Sequence, residues 1–252
     1  MKLLASDLDL TLLFKNENGK VYIKDEDIKA IADFQNSGNL FGVSTGRGIH
    51  TASGEVIGNI RVDFYVVNSG GAIYDRDINI IEENTLSKPR LLELYAELTR
   101  KDDIIIYCKN DTYALRFVDR DLKGKKPVNS IDEINDEIYS ISLKLWDEAC
   151  ARAEAERLKD KWGEEFAVFQ NQVYVDICKK GCSKGAAVLK AAHILGVKEG
   201  DISVIGDSYN DISMFEAVEN SYTFDYSDEE VKKKTKRTVK SVAECIYDIM
   251  NS

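Results

Sequence analysis

Asp7 and Asp9 flank a single leucine in the stretch ASDLDLT, and Asp207 and Asp211 lie four residues apart in VIGDSYND. Carboxylates two apart at the end of a strand point to the same side, and both can approach one site where the chain leaves the strand as a loop. Three or four such groups brought together repel one another unless a cation lies between them. The chain has only two histidines, so the ligands would be hard oxygens, which suit magnesium. Gly206 permits a tight exit from the second strand, and Asp207 and Asp211 sit about one helical turn apart. The plainer role for Asp207 or Ser208 is to cap a helix. In VSTGR, the Thr45 hydroxyl and the free N–H groups of a helix start, Gly46 among them, would make a cradle for phosphate. An ordinary N-cap by Ser44 or Thr45 is the alternative there. Lys184, in SKG, could neutralise phosphate charge, although a lone lysine is ordinarily a solvated surface group.

These residues need elements to hold them. Residues 2–6 (KLLAS) read as a short buried strand. Residues 25–38 read as a helix with Ile28, Ile31, Ala32 and Phe34 as its apolar face and Gly38 at its stop. NLFGVST reads as a strand, GRGIHTASGEVIG as a helix and VDFYVVN as another strand. This alternation predicts a parallel sheet with crossover helices. The middle of the chain is different. A hairpin is expected around residues 75–79, then a helix over LSKPRLLELYAELTRK with Leu91, Leu92, Leu94, Tyr95 and Leu98 as its stripe. The strands DIIIYC, TYALRFV, IYSISLKLW, EFAVF and VYVDI follow, with the polar-faced helix DEACARAEAERLKDKW among them and a second hairpin at Asn171 and Gln172. Residues 86–176 therefore read as an α+β insert. After it the alternation resumes with the helix SKGAAVLKAAHILG, the strand DISVIGD, the helix SYNDISMFEAV, a strand at 222–224 and a last helix near 242–250. No internal repeat or low-complexity tract is present.

Composition sets the limits. The chain has 252 residues, enough for one large or two small domains with a real core. Its formal net charge of −10 argues against a nucleic-acid partner, because such a surface repels the phosphate backbone. The cluster Lys232, Lys233, Lys234, Lys236 and Arg237 is the one strong basic run and reads as a solvated face. Five cysteines form no tight framework, so reduced and mostly buried thiols are expected, as in the cytosol. Asp7 and Asp9 interrupt the apolar start MKLLASDLDLTLLF, which is therefore no signal-peptide core, and no stretch is apolar enough to span a bilayer. A cytoplasmic location and no membrane partner are the expectation. Oligomeric state is not legible.

Taken in order, DLDLT, STGR, the lysine of SKGAA and GDSYND resemble the four motifs of the haloacid dehalogenase superfamily. KGCSKGAAVLKAAHILGV and ISVIGDSYNDISMF look most like its Cof-type sugar-phosphatase subfamily, which carries a type IIB cap. The resemblance implies a Rossmann-like α/β core with a parallel sheet over residues 1–85 and 177–252, and an inserted α+β cap over residues 86–176. It implies that Asp7 is a nucleophile forming an aspartyl-phosphate and that Asp9 protonates the leaving alcohol and later activates water. Magnesium would be held by Asp7, the Asp9 backbone carbonyl and Asp207, with Asp211 in support. Thr45, Gly46 and Lys184 would hold the phosphoryl group, with Asn210 nearby. Leu10 stands where Gly or Asp is frequent, and Gly70 where the family often has the Asn of Asn-Gly-Ala.

The activity implied is hydrolysis of small phosphorylated metabolites, above all sugar phosphates, since a cap that excludes bulk water disfavours phosphoproteins. A carboxylate two residues after the nucleophile favours phosphatases and phosphomutases over dehalogenases. A phosphomutase or phosphotransferase of the same superfamily is the alternative, separable by looking for isomerised sugar phosphate instead of free phosphate. A non-catalytic ligand-binding relative is a third reading, separable by ligand-induced stabilisation without turnover. Arg116, Lys109 and Tyr113 are polar candidates within the insert, each equally well an exposed strand residue.

Overall fold

Short apolar runs bounded by polar turns have no polar face to offer water, and here they become buried strands. The computed structural model describes residues 1–54, 57–58, 60–99, 103–116 and 124–252. In chain order the elements are β1 (Leu3–Ser6), β2 (Phe14–Lys15), β3 (Val21–Tyr22), α1 (Asp25–Asn36), β4 (Leu40–Ser44), α2 (Ile49–Ala52), β5 (Phe64–Val67), β6 (Ala72–Asp75) and β7 (Ile80–Glu83). The middle holds α3 (Lys88–Ala96), β8 (Ile104–Cys108), β9 (Thr112–Leu115), β10 (Lys126–Val128), β11 (Ile138–Lys144), α4 (Glu148–Trp162), β12 (Phe166–Asn171) and β13 (Tyr174–Lys179). The chain ends with α5 (Lys184–Ile194), β14 (Ile202–Ile205), α6 (Ile212–Ala217), β15 (Asn220–Phe224), α7 (Glu229–Lys232), β16 (Arg237–Val239) and α8 (Val242–Asn251).

Two compact units result, one of Met1–Glu82 with Ser183–Ser252 and one of Glu83–Cys182. The sheet of the first runs β16-β15-β14-β1-β4-β5-β6-β7. It is parallel from β16 to β5, and β6 turns antiparallel onto β5. Leu3 and Ala5 of β1, Phe64 and Val66 of β5 and Val204 of β14 share a core with Ala187, Val188 and Ala191 of α5 and with Met214 and Phe215 of α6. Side chains alternate along a strand, and α1 and α8 pack on each other and against β4, β14 and β16. This is the doubly covered, Rossmann-like sheet that the strand–helix alternation indicates.

In the second unit the sheet order is β10-β9-β8-β11-β13-β12, mostly antiparallel. One face carries Ile104, Ile106, Leu115, Ile141, Leu143, Val175 and Ile177, which pack with Leu91, Leu94 and Leu98 at α3 and Ala151, Ala155 and Leu158 of α4. Among the alternate residues, Ser140, Ser142 and Asp176 are polar and still buried. Ser142 and Asp176 are direct cross-strand partners and are hydrogen-bonded, and Asn171 donates to the second Asp176 oxygen at 3.1 Å. β13 pairs with β12 out to Lys179, opposite Phe166, which carries residues 177–179 into this sheet.

Several sequence expectations change. The helix over GRGIHTASGEVIG shrinks to the four residues of α2, with Gly48 ahead of it and Gly54 at φ +71 behind it; residues 55 and 56 of that stretch lie outside the described residues. The face that α1 buries is Asp27, Ile31, Phe34 and Gln35, and Ala32 is exposed. Distant partners explain this. Asp27 accepts from the Ala243 N–H at 2.7 Å, and the Gln35 amide donates to Asp63 at 2.7 Å. In the long middle helix, Leu91 and Leu94 are buried, whereas Leu92 and Tyr95 only flank the core. Arg100, Lys101, Phe117 and Val118, expected in a helix and a strand, lie outside the described residues. The basic run near the C-terminus is ion-paired locally, with Lys232 on Glu229, Lys233 on Glu230, Lys234 on Glu216 and Arg237 on Asp248. All five cysteines are free thiols, four of them buried. Among the described residues, no helix is long and apolar enough to cross a membrane.

Candidate active site

The site is assembled from the carboxyl ends of β1, β4 and β14 and the first residue of α5, within the first unit. That is where open α/β sheets place their ligands. Asp7 follows β1 directly, and its backbone N–H still donates to the Ile205 carbonyl of β14 at 2.9 Å, so the sheet itself fixes its position. The chain then makes one tight turn, with the N–H groups of Leu12 and Leu13 both donating to the Leu8 carbonyl at 2.9 and 2.7 Å. Buried Leu8, Leu12 and Leu13 anchor this turn in the core. Leu10 takes φ +61 within it, the left-handed region where Gly is at ease and other residues are strained. The Tyr226 hydroxyl donates to the Leu10 carbonyl at 2.6 Å and helps to hold the turn.

Lys184 opens α5, with Ser183 as N-cap accepting from the Ala186 N–H at 3.0 Å. Its side chain is only 1% exposed, and Nζ donates to Asp7 Oδ1 at 2.6 Å and to Asp211 Oδ1 at 2.7 Å. The second Asp211 oxygen accepts from the backbone N–H groups of Asp207 and Ser208, each at 3.0 Å. Ser208 and Asp211 thus form a capping box, and Ser208, not Asp207, is the cap. Gly206 is required here, since a Cβ at that position would stand 2.4 Å from the Asp211 carboxyl carbon. Asp207 is left facing the site, where its Oδ1 accepts from the Thr11 hydroxyl at 2.7 Å.

The structure brings Asp7, Asp207 and Asp211 together, with one ligand oxygen from each within 4.8 Å of the others. The Asp9 carboxylate lies outside that group. Both of its oxygens accept from Arg47, from Nε at 2.7 Å and Nη2 at 2.5 Å. Thr45 is buried beyond β4; its N–H donates to the Val66 carbonyl at 2.9 Å, and its hydroxyl accepts from the Arg47 N–H at 3.2 Å. Thr45 precedes a bend at Gly46 and Arg47, not a helix start, because α2 begins only at Ile49. Any phosphate cradle there rests on bend amides and the hydroxyl, without the field of a helix terminus. Asn210 is buried, and among the described residues its Oδ1 has no hydrogen-bond partner.

Two residues of this site carried no role in the sequence reading. Thr11 ties the β1 loop to the β14 loop, and Arg47 ties Asp9 to the β4 loop. Both stand inside quoted motifs, DLDLT and STGR, so an unassigned polar side chain within a motif was the available signal.

The electrostatics follow from burial. Desolvation drives the Asp7 carboxyl well above its usual range, and the charges of Asp211, Asp207 and Asp9 add to the rise against the opposing pull of Lys184. Burial and the Asp211 charge push Asp207 up to about 7. Burial alone would lower Lys184, but Asp211 and Asp7 more than offset it, so its net shift is upward and it stays charged. Two buried carboxylates, Asp7 and Asp211, thus share one ammonium beside the half-buried Asp207, an excess of negative charge that a small hard cation would relieve. The donors fit such an ion. They are carboxylate oxygens, with the unpartnered Asn210 amide oxygen on the same loop.

The chain belongs to the haloacid dehalogenase-like hydrolase family, which matches residues 4–249. Among its relatives are two Bacillus subtilis proteins named 5-amino-6-(5-phospho-D-ribitylamino)uracil phosphatase. YcsE is 26% identical over 85% of this chain and 80% of its own length, and YwtE is 25% identical over 96% and 93%. Solved structures share the fold from end to end. A haloacid dehalogenase-like hydrolase from B. subtilis has a TM-score of 0.85 at 20% identity, covering 99% of both chains. The HAD subclass IIB sugar phosphatase BT4131 has a TM-score of 0.82 at 17% identity, covering 100% of this chain and 98% of its own. The protein is thus a phosphoric monoester hydrolase of Cof type, and its α+β insert shares the fold of that subclass IIB neighbour.

Proposed function

We propose that the protein is a magnesium-dependent phosphatase of small phosphorylated metabolites, acting through a phosphoryl group carried on Asp7. The single observation behind this reading is the grouping of Asp7, Asp207 and Asp211, with buried Lys184 bonded to the first and the last. An Asp7 oxygen attacks phosphorus as the bond to the leaving oxygen breaks, and Asp9 gives that oxygen a proton. Asp9 then takes a proton from the water that attacks the aspartyl-phosphate, releasing inorganic phosphate and restoring Asp7. Lys184 and the Thr45 hydroxyl, with Gly46 and Asn210, hold the phosphoryl oxygens. Asp7, the Asp9 backbone carbonyl and Asp207 would hold magnesium, which when bound supplies positive charge against the charge on the transferring group. Asp211, whose two oxygens are engaged by Lys184 and by loop amides, would support such an ion by holding those groups in place.

The substrate class we favour is a phosphate ester of a polyhydroxylated carbon chain. BT4131 is named a sugar phosphatase, and the B. subtilis relatives are named for a phosphoribityl compound. Purified protein should release phosphate from an aryl phosphate with magnesium and stop when the metal is chelated. Asp7→Asn should lower turnover by at least about 10³-fold. Turnover surviving that substitution would sink the reading, and a panel of phosphorylated sugars and polyols would define the substrate.

A further inference from the structure

We infer that Arg47 is a positioning residue that sets the orientation of the Asp9 carboxylate for proton transfer; this rests on the role proposed for Asp9. The guanidinium meets Asp9 edge-on, with Nε and Nη2 each on a different carboxylate oxygen. This two-point contact fixes the plane of the carboxylate as well as its distance. Arg47 is itself held from behind. Its Nη1 donates to the Thr51 carbonyl at 3.0 Å, its backbone N–H donates to the Thr45 hydroxyl, and its carbonyl accepts from the Asn68 N–H at 2.9 Å. The side chain is 25% exposed, against 48% for Asp9, so the arginine is the better anchored partner.

Most surface pairs of this kind contribute little to stability. A simple surface pair, however, has no need of a guanidinium fastened to a third segment. Asp7 is placed by the sheet and Lys184, whereas Asp9 lies on the tight turn beyond β1. Its hydrogen bonds to Arg47 tie its side chain to the β4 loop that carries Thr45. Arg47 therefore keeps the proton-transferring group in register with the loop that would hold the phosphoryl group. Lysine could keep the charge but not the two-point geometry.

The test uses leaving groups of graded basicity. A nitrophenolate departs without help, whereas an alkoxide must be protonated as it leaves. Steady-state kinetics of the wild type, Arg47→Ala and Arg47→Lys would be compared on 4-nitrophenyl phosphate and on an alkyl phosphate such as glycerol 3-phosphate. Arg47→Ala should lose roughly 10²-fold in kcat on the alkyl ester, the size of a general-acid contribution, and much less on the aryl ester. KM should change little. Arg47→Lys should recover only part of the loss, and added guanidinium ion should restore part of it in Arg47→Ala.

An equal loss on both esters, or a loss carried by KM together with weaker inhibition by inorganic phosphate, would overturn the inference and make Arg47 a phosphate ligand. Asp9→Asn, run on the same two esters, tests the parent reading separately. It should show the same leaving-group dependence, more strongly. If it does not, the role assigned to Asp9 fails, whatever Arg47 does.

Discussion

Lys184 carries a heavy electrostatic burden. It is buried and touches two carboxylates 177 and 27 residues away in sequence. Lys184→Met keeps much of the side-chain volume and removes the charge. It should cost about 3 kcal/mol or more in folding stability, because it strands two buried carboxylates. Urea denaturation in the presence of a chelator would measure this. The deficit should be smaller at pH 5 than at pH 8, since burial already raises the Asp7 carboxyl and a proton can replace the lost ammonium. An equal deficit at both values would mean that the lysine acts through packing alone. Sequence reasoning gave a lone lysine the bland role of a solvated surface group, and only the resemblance to a motif separated Lys184 from the other lysines of the chain.

The elements matter here for where they end. β1, β4 and β14 are adjacent and parallel, so their carboxyl ends present Asp7, Thr45 and the Gly206 loop side by side. α5 must then begin close to the end of β5, and Gly70 makes this approach possible. It takes φ +97, and a Cβ there would stand 2.4 Å from the Ser183 carbonyl oxygen, one residue before Lys184. Gly70→Ala should destabilise by about 2 kcal/mol or more, from left-handed strain added to a backbone clash. Its activity should fall beyond what the loss of folded protein explains, because Lys184 moves with Ser183. Thermal denaturation and activity per folded molecule would check both parts, and an alanine variant with wild-type stability would contradict the packing described. The departure from Asn-Gly-Ala at this place in the sequence thus falls on a glycine that the backbone requires.

For the whole molecule, the excess of buried negative charge predicts opposite responses to pH with and without metal. The Asp207 carboxyl is raised to about 7 from an ordinary 3.8. Between those values the folded, metal-free protein keeps a proton that the unfolded chain gives up. Its contribution to stability is therefore present at low pH and lost as pH rises toward 7 and beyond. Asp7 shifts in the same direction. Magnesium needs the ionised carboxylates, so its stabilising effect should run the other way, small at pH 5 and largest near pH 8. Paired thermal scans with magnesium and with chelator at both pH values would show this. The difference within each pair is the quantity to read, because carboxylates elsewhere titrate in the same range. A metal-induced shift that does not depend on pH would contradict the buried-carboxylate account.

Much of this was readable along the chain. Alternating apolar runs specify a parallel sheet because a strand buried on both faces has nowhere to put polar residues, and the hairpin at residues 75–79 follows from its turn chemistry. The acidic motifs are legible for the same reason, since ionisable groups at strand ends are costly unless something uses them. What the sequence could not show is which polar group meets which. The apolar face read for α1 left out Asp27 and Gln35, yet they are buried on partners at Ala243 and Asp63. GRGIHTASGEVIG had the length of a helix, but among its described residues only the four of α2 are α-helical, and its glycines disfavour helical backbone. Asp9 was legible as a second carboxylate, and its pairing with Arg47 was not. Residue type and period are local properties that burial imposes on the chain, so the sequence alone determines the elements and the residues able to do chemistry. Hydrogen bonds between segments far apart depend on distance and direction in three dimensions, and only the tertiary structure decides them.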